Sequence, residues 1–231
     1  MNPAQDDQRI ESTLVSVDVL ALRFAPDARA VLLGVAPRAH DPFGGDLALP
    51  GVLLGRGERL RDAALRAVTG KLGVAAEAVT AVGQLATFDE PSRDPRGPTL
   101  SVALWATVDP GRLDGRDGPT WASLGDVPAL AFDHDRIVAD CRPLFRDRLW
   151  RDPAFTAGLL GAEFTTAQAL DVTEALTGDR PYPANLGRTM DRVPGLRRTA
   201  QHASALPKGG RPPLVWRWDP VPSGVTTRDR S

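Results

Sequence analysis

The spacing of apolar residues switches repeatedly between two periods along the first 150 positions, and this confines the chain to a mixed sheet-and-helix fold. From Leu14 to Phe24 apolar residues alternate as in a strand, and Ala30 to Val35 is a short apolar run beyond a turn at Ala25-Pro26-Asp27-Ala28. Between Arg59 and Leu72 the spacing becomes helical, with Leu60, Ala63, Ala64, Ala67, Val68 and Leu72 forming one stripe. Strands are expected again at Val79 to Ala86 and Leu100 to Val108, flanking an Asp89-to-Pro98 loop rich in Pro, Gly, Asp and Arg. A long helix is predicted from Asp133 or His134 to Leu149, carrying Ile137, Val138, Cys141, Leu144 and Phe145 at helical spacing. The order strand, strand, helix, strand, strand, helix defines an α+β or α/β unit covering residues 1–150.

The character of the chain changes near Trp150. After Asp152-Pro153, Phe164-Thr165-Thr166 opens a helical pattern that Gly178 terminates. Pro183 to Val193 reads as a second helix, broken by Pro194-Gly195. Leu196 to Thr199 and Leu214 to Trp218 are expected to pair around a polar loop containing Lys208-Gly209-Gly210-Arg211. Two helices followed by a hairpin with a basic loop is the plan of a winged helix-turn-helix. That domain is expected to span residues 151–222, with 223–231 a disordered tail.

Composition narrows the setting. With 42% hydrophobic and 25% charged residues the chain is an ordinary globular one. No apolar run approaches the roughly 20 residues that span a bilayer. Met1 to Glu11 is polar and acidic, so no secretory signal and no membrane partner are expected. The single cysteine, Cys141, excludes a disulfide framework or thiolate zinc site and suits a cytoplasmic location; it is read as core. His40, His134 and His202 are scattered and none is read as a metal ligand.

One segment carries a recognisable chemistry. Leu49-Pro50-Gly51-Val52-Leu53-Leu54-Gly55-Arg56-Gly57-Glu58, the helix through Arg66 and the closing Gly73-Val74 together resemble the Nudix box. Aligned on Glu58, seven residues lead to Arg66, Val68 takes the aliphatic position and Gly73-Val74 ends the motif. In active Nudix proteins three helix glutamates collect divalent cations that polarise a pyrophosphate and activate water. Here those positions are Ala67, Gly70 and Lys71, spaced i, i+3 and i+4 on one helical face. The resemblance therefore implies a Nudix-like scaffold without catalytic residues, bound metal or cofactor. The alternative is a Nudix-type pyrophosphohydrolase acting on ADP-ribose or another nucleoside diphosphate derivative.

The remaining polar residues of this half have two readings each. Glu58 and Arg66 make either a salt bridge between loop and helix or contacts to a ligand. Lys71 is either a solvated helix residue or an ammonium that sits where a metal would and pairs with a diphosphate. Arg38, at the end of a strand, and Phe88, Arg93 and Arg96 in the polar loop are either surface residues or the walls of the same cleft. In the second case Phe88 would stack on a base, Arg38 would face phosphates, and Arg93 or Arg96 would pair with a phosphate or with a neighbouring subunit.

The second half extends the resemblance. Leu160 to Leu170, Glu174 to Gly178, Asn185-Leu186-Gly187-Arg188-Thr189-Met190 and Gly209-Gly210-Arg211-Pro212 are similar to the C-terminal domain of the Nudix-related transcriptional regulators, the NrtR family. Leu130 to Asp140 resembles that family's linking helix, and the Arg-Asp-Pro-Arg-Gly loop at 93–97 fits it too. The likeness covers most of residues 13–218. It implies a Nudix-like α/β/α sandwich followed by a winged helix-turn-helix. It further implies a homodimeric regulator, more often a repressor, that binds double-stranded operator DNA and senses ADP-ribose or a related NAD metabolite. The linking helix would transmit a ligand's unequal preference for two arrangements to the DNA-binding half.

Charge is distributed as such a plan requires. Residues 1–150 hold 17 basic and 21 acidic side chains, a net of −4, and residues 151–231 hold 11 and 8, a net of +3. Between Arg188 and Arg217 seven cations face one acid, Asp191. Asn185, Arg188 and Arg192 on the helix, with Lys208 and Arg211 on the wing, are the DNA-contact candidates. The family pattern of Asn-Phe followed by two or three basic residues is reduced here by Leu186, Gly187 and Thr189, so fewer phosphate contacts are expected.

Overall fold

β1 (Leu14–Ala25) is apolar along both of its faces because a layer of helix covers each. Val17, Val19 and Ala21 enter one core and Leu20, Leu22 and Phe24 the other, as the two-residue period of a strand demands. The computed structural model describes residues 12–113, 120–199 and 214–220. Around β1 lie β2 (Ala30–Pro37), β3 (Leu47–Ala48), β4 (Gly51–Leu53), β5 (Val79–Phe88), β6 (Thr99–Val108) and β7 (Thr120–Ser123). Their order is β3-β2-β1-β6-β5, with β4 on β1 and β7 on β2; β1 and β6 run parallel. α1 (Leu60–Leu72) packs its Ala63, Ala64, Ala67, Val68 and Leu72 stripe on one face. α2 (His134–Arg148) and α3 (Pro153–Leu160) cover the other face. The mixed sheet between helices matches the fold class expected from the periodicities.

The second half supplies β8 (Glu163–Thr165), α4 (Thr166–Thr177), α5 (Pro183–Met190), β9 (Leu196–Arg198) and β10 (Val215–Trp218). Thr165 caps α4 through a reciprocal capping box with Gln168, and Gly178 ends it at φ 80°. β9 and β10 pair antiparallel as expected, and β8 adds a third strand against β10. Lys208, Arg211, His202 and the tail from 223 to 231 lie outside the described residues.

α3 is absent from the sequence reading, which placed no helix between Leu149 and Phe164. Asp152 caps it by accepting from the Ala154 and Phe155 amides, each at 3.1 Å. Phe155, Thr156, Ala157, Leu159 and Leu160 are all buried, so the helix has no solvent face and no amphipathic period to betray it. Its position is tight. A Cβ on Gly158 would lie 2.1 Å from Thr107 Oγ1, so only glycine lets α3 approach β6 this closely. Phe155 meets Trp105 edge-on at 5.1 Å and stacks on Phe145 at 5.8 Å. One buried cluster thus runs from Leu20, Leu22 and Trp105 of the sheet, through Phe145 and Phe155, to Leu170, Met190 and Trp216.

Candidate functional site

A cleft of about 590 Å³ opens where β2 ends, between the C-terminal half of α1 and the 93–96 loop. Arg38, Arg66, Lys71, Arg93 and Arg96 all line it, so residues 58 positions apart in sequence meet at one site. The volume suits a small ligand, and the arginines suit an anionic one. Glu58 stands behind Arg66 and accepts from it in bidentate fashion, at 2.9 and 2.7 Å, and from the Gly55 amide at 2.7 Å. Arg66 also donates to the Leu53 carbonyl at 3.0 Å. These bonds fasten the loop before α1 to the helix, and hold the Glu58 carboxyl down at about 2. Of the two readings of this pair, the geometry supplies every element of the bridge.

Arg96 is similarly occupied, donating to both oxygens of Asp94 at 3.0 and 2.7 Å. Arg38 is not. Its Nε donates to the Pro42 carbonyl at 2.7 Å and Nη2 to the His40 carbonyl at 3.3 Å, with no carboxylate partner among the described residues. Its guanidinium lies 4.4 Å from the centroid of the Phe132 ring, and Arg96 lies 5.8 Å from the same ring. Burial, and next the like charge of Arg96, push the Arg38 pKa below its ordinary value. The two guanidiniums, that of Arg96 paired with Asp94, lie against one ring and form a basic, aromatic wall.

Under the cleft is a buried polar cluster that the sequence reading missed. Asp18 of β1 accepts from Ser16 at 3.0 Å and Ser101 at 2.5 Å, and lies 3.5 Å from Arg93. Arg93 donates in turn to Ser16 at 3.2 Å and to both oxygens of Asp133. His134, the first residue of α2, accepts the Leu49 amide on Nδ1 at 3.1 Å, which puts its proton on Nε2, 3.7 Å from Asp18 Oδ1. Burial lowers the His134 pKa, outweighing the pull of Asp18 and then Asp133, and this agrees with a neutral ring. Gly51 is required directly above: a Cβ there would sit 2.3 Å from Asp18 Oδ1. The interruption of an apolar strand by Ser16 and Asp18 was the available clue.

Several expectations need correction. Phe88 does not reach the cleft; β5 continues to it, strand alternation turns the ring inward, and it joins the core at 7% exposure. The aromatic surface at the site is Phe132, in the stretch read from sequence only as part of the linking helix. Arg93 lines the cleft but its side chain is 4% exposed and committed to two carboxylates, so it braces the floor. Ala67, Gly70 and Lys71 do not share one environment: Ala67 is fully buried against the sheet, and Gly70 and Lys71 face the cleft. Cys141 is core, and burial raises its thiol pKa to about 12.

The second candidate surface is α5. Leu186, Gly187 and Met190 are buried, leaving Asn185 and Arg188 exposed on the helix and Arg192 just beyond its end. Arg188 donates to Asn185 Oδ1 at 3.2 Å. The basic excess is smaller in space than along the chain. β8 brings Glu163 against Arg217, a partner outside the 188–217 window, and Asp191 takes Arg198. Strand register also puts Arg197 beside Arg217 and Arg198 beside Trp216, on opposite faces of the sheet. Arg188, Arg192 and Arg197 are in no ion pair among the described residues.

With this geometry established, the class of fold is clear: an α+β, Nudix-like sheet-and-helix unit with a smaller helical unit and three-stranded sheet after it. NrtR of Shewanella oneidensis has this fold at a TM-score of 0.73 and 24% identity, over 90% of this chain and 95% of that one. In complex with a 27mer DNA the same protein matches at 0.73 and 22%, over 89% and 94%. Its Nudix domain complexed with ADP-ribose matches at 0.50 and 25%, over 60% of this chain and 92% of that one. By sequence, an ADP-ribose pyrophosphatase of Methanocaldococcus jannaschii is 33% identical over 106 residues, 45% of this chain. The chain spans 61% of that relative's length. No family model matches. Among the described helices none is long and apolar enough to cross a membrane.

Proposed function

We propose that this chain is a DNA-binding transcriptional regulator whose first 150 residues sense a nucleotide such as ADP-ribose or a related NAD metabolite. Residues 151–222 would bind operator DNA as a winged helix, in a cytoplasmic homodimer acting as a repressor. The observation that carries the reading is the pairing, in one chain, of a cation-lined cleft with an exposed Asn185–Arg188–Arg192 surface on α5. A fold shared along nearly the whole length of a protein studied with both DNA and ADP-ribose supports it. Asn185 and Arg188 would enter the major groove, Arg192 the flanking phosphates, and Lys208 and Arg211 would reach from the wing.

The route between the sites follows from packing. β2 ends at the cleft beside Arg38, α2 starts there at His134, and both pack against α4. A ligand that favours one placement of these two elements over another changes the population presented to DNA. The test is a gel shift on the gene's own upstream DNA at fixed salt, with and without ADP-ribose. A shifted band that ADP-ribose weakens supports the reading; the absence of any sequence-preferring shift overturns it.

A second reading, pyrophosphohydrolase, is favoured by the 33% identity to the archaeal enzyme. Against it stand Ala67, Gly70 and Lys71 at the positions where the Nudix box carries glutamates. Magnesium-dependent release of AMP from ADP-ribose at enzymatic rates would establish it.

A further inference from the structure

The Nudix fold implies a divalent cation between protein and pyrophosphate, and the residues of this cleft do not fit one. Hard cations need several free oxygen ligands. The carboxylates lining the cleft are Asp18, Asp41 and Asp94. Asp18 is committed to Ser16, Ser101 and Arg93, and Asp94 to Arg96. Asp41 accepts from the Gly44 amide in a separate turn. Among the described residues no three His, Cys, Asp or Glu side chains are grouped to hold a metal. On the α1 wall Gly70 offers open space, with nothing within 4 Å of a Cβ, and Lys71 offers a positive charge. An ammonium beside the would-be site repels a cation rather than recruiting one.

The charge balance points the same way. Of the five cations lining the cleft, Arg66, Arg93 and Arg96 are each neutralised by a carboxylate. Arg38 and Lys71 are in no ion pair among the described residues, and they come from different walls, the end of β2 and the last turn of α1. We infer that the cleft binds the diphosphate of its nucleotide ligand without a divalent metal, with Lys71 and Arg38 supplying directly the positive charge that a metal would otherwise bring. Lys71 contributes a compact point charge, and Arg38 a guanidinium fixed in orientation by two carbonyls and the Phe132 ring. The inference rests on the nucleotide-sensing reading above and specifies its chemistry.

The experiment is calorimetric titration of ADP-ribose into the full-length protein, in EDTA and in millimolar magnesium. Parallel titrations use Lys71→Ala and Arg38→Ala, and Mn2+ alone is titrated into the ligand-free protein. Equal affinity in both buffers, within about threefold, is expected, along with no saturable Mn2+ heat. Each variant should lose about tenfold or more, the usual effect of removing a charge-assisted contact. Lys71 is exposed, so its variant should melt with the parent. Binding seen only with magnesium, or saturable Mn2+ uptake, overturns the inference and leaves the nucleotide-sensing reading intact. Unchanged affinity in Lys71→Ala also overturns it. Absence of ADP-ribose binding in either buffer removes the inference together with the reading on which it rests.

Discussion

The Arg93 guanidinium reaches both carboxylate oxygens of Asp133, at 2.8 and 3.1 Å, and so ties the loop at the cleft floor to the residue that precedes α2. The Arg93 side chain is buried, with 4% exposure, and Asp18 lies on its other side at 3.5 Å. Removing one member of such a pair leaves a charge buried without its partner. Arg93→Ala is therefore expected to cost about 3–5 kcal/mol of stability in denaturant titration. A loss below about 1 kcal/mol would mean that water already reaches the pair.

Close approach of α3 to β6 depends on Gly158. With Thr107 Oγ1 2.1 Å from an added Cβ, Gly158→Ala should lose about 1–3 kcal/mol through overpacking. Combining it with Thr107→Ala removes the nearest atom, so the double variant should lose less than the sum of the two singles. Strict additivity in a thermal-melt cycle would contradict the contact.

Gly70 makes the opposite case. It lies inside α1 and nothing stands within 4 Å of an added Cβ. Gly70→Ala should raise stability by about 0.5–1 kcal/mol, through helix propensity and a less flexible unfolded chain. An unchanged or lower melting temperature would be the contrary result.

The Glu58–Arg66 bridge sets an acid limit on the loop preceding α1. The Glu58 carboxyl is held at about 2, against an ordinary 4.5, chiefly by the hydrogen bond from Arg66 and then by that from Gly55. A depressed carboxyl pKa stabilises the folded state fully above pH 4.5, and this contribution is lost as pH falls from there towards 2. The side-chain carboxyl resonance of Glu58, followed by NMR, should titrate near the lower value. Glu58→Gln should abolish that part of the acid dependence, and a resonance titrating near 4.5 would rule the bridge out in solution.

On the proposed DNA surface, Arg188→Ala should weaken binding and, if Arg188 meets a phosphate, flatten the plot of log affinity against log salt by about one unit. Asn185→Ala should instead relax sequence preference, with the salt slope retained. Gel shifts at several salt concentrations separate the two roles. Loss of neither affinity nor preference in either variant would remove α5 from the DNA-contacting surface.

Much of this was legible in the sequence where one face of an element is wet. The stripe of α1 and the Thr165 and Gly178 boundaries of α4 are local patterns, and each element formed there. Spacing within the Leu49–Val74 segment, with Arg38 before it and Arg96 after it, anticipated one cleft. α3 escaped because a helix buried all round has no period. Phe88 was misplaced because a strand two residues longer than expected reverses nothing locally yet decides which way the last ring points. The cluster of Asp18, Arg93 and His134 is invisible to spacing, since its members come from β1, the 90s loop and α2 and meet only after the sheet forms. Glu163 opposite Arg217 is the same lesson in charge: a tally along the chain cannot see a partner from another strand.

The stacking of Phe155 on Phe145 has a thermodynamic consequence. The two rings belong to opposite sides of position 150, and the cluster they join extends from Leu20 to Trp216. Neither half can lose its packing without exposing apolar surface on the other. Heating should therefore give one calorimetric transition, with the van't Hoff and calorimetric enthalpies in agreement, and not two successive melts. For the same reason, either half cut at 150 would present a fresh oily face to water and self-associate. The two halves then constitute a single cooperative folding unit.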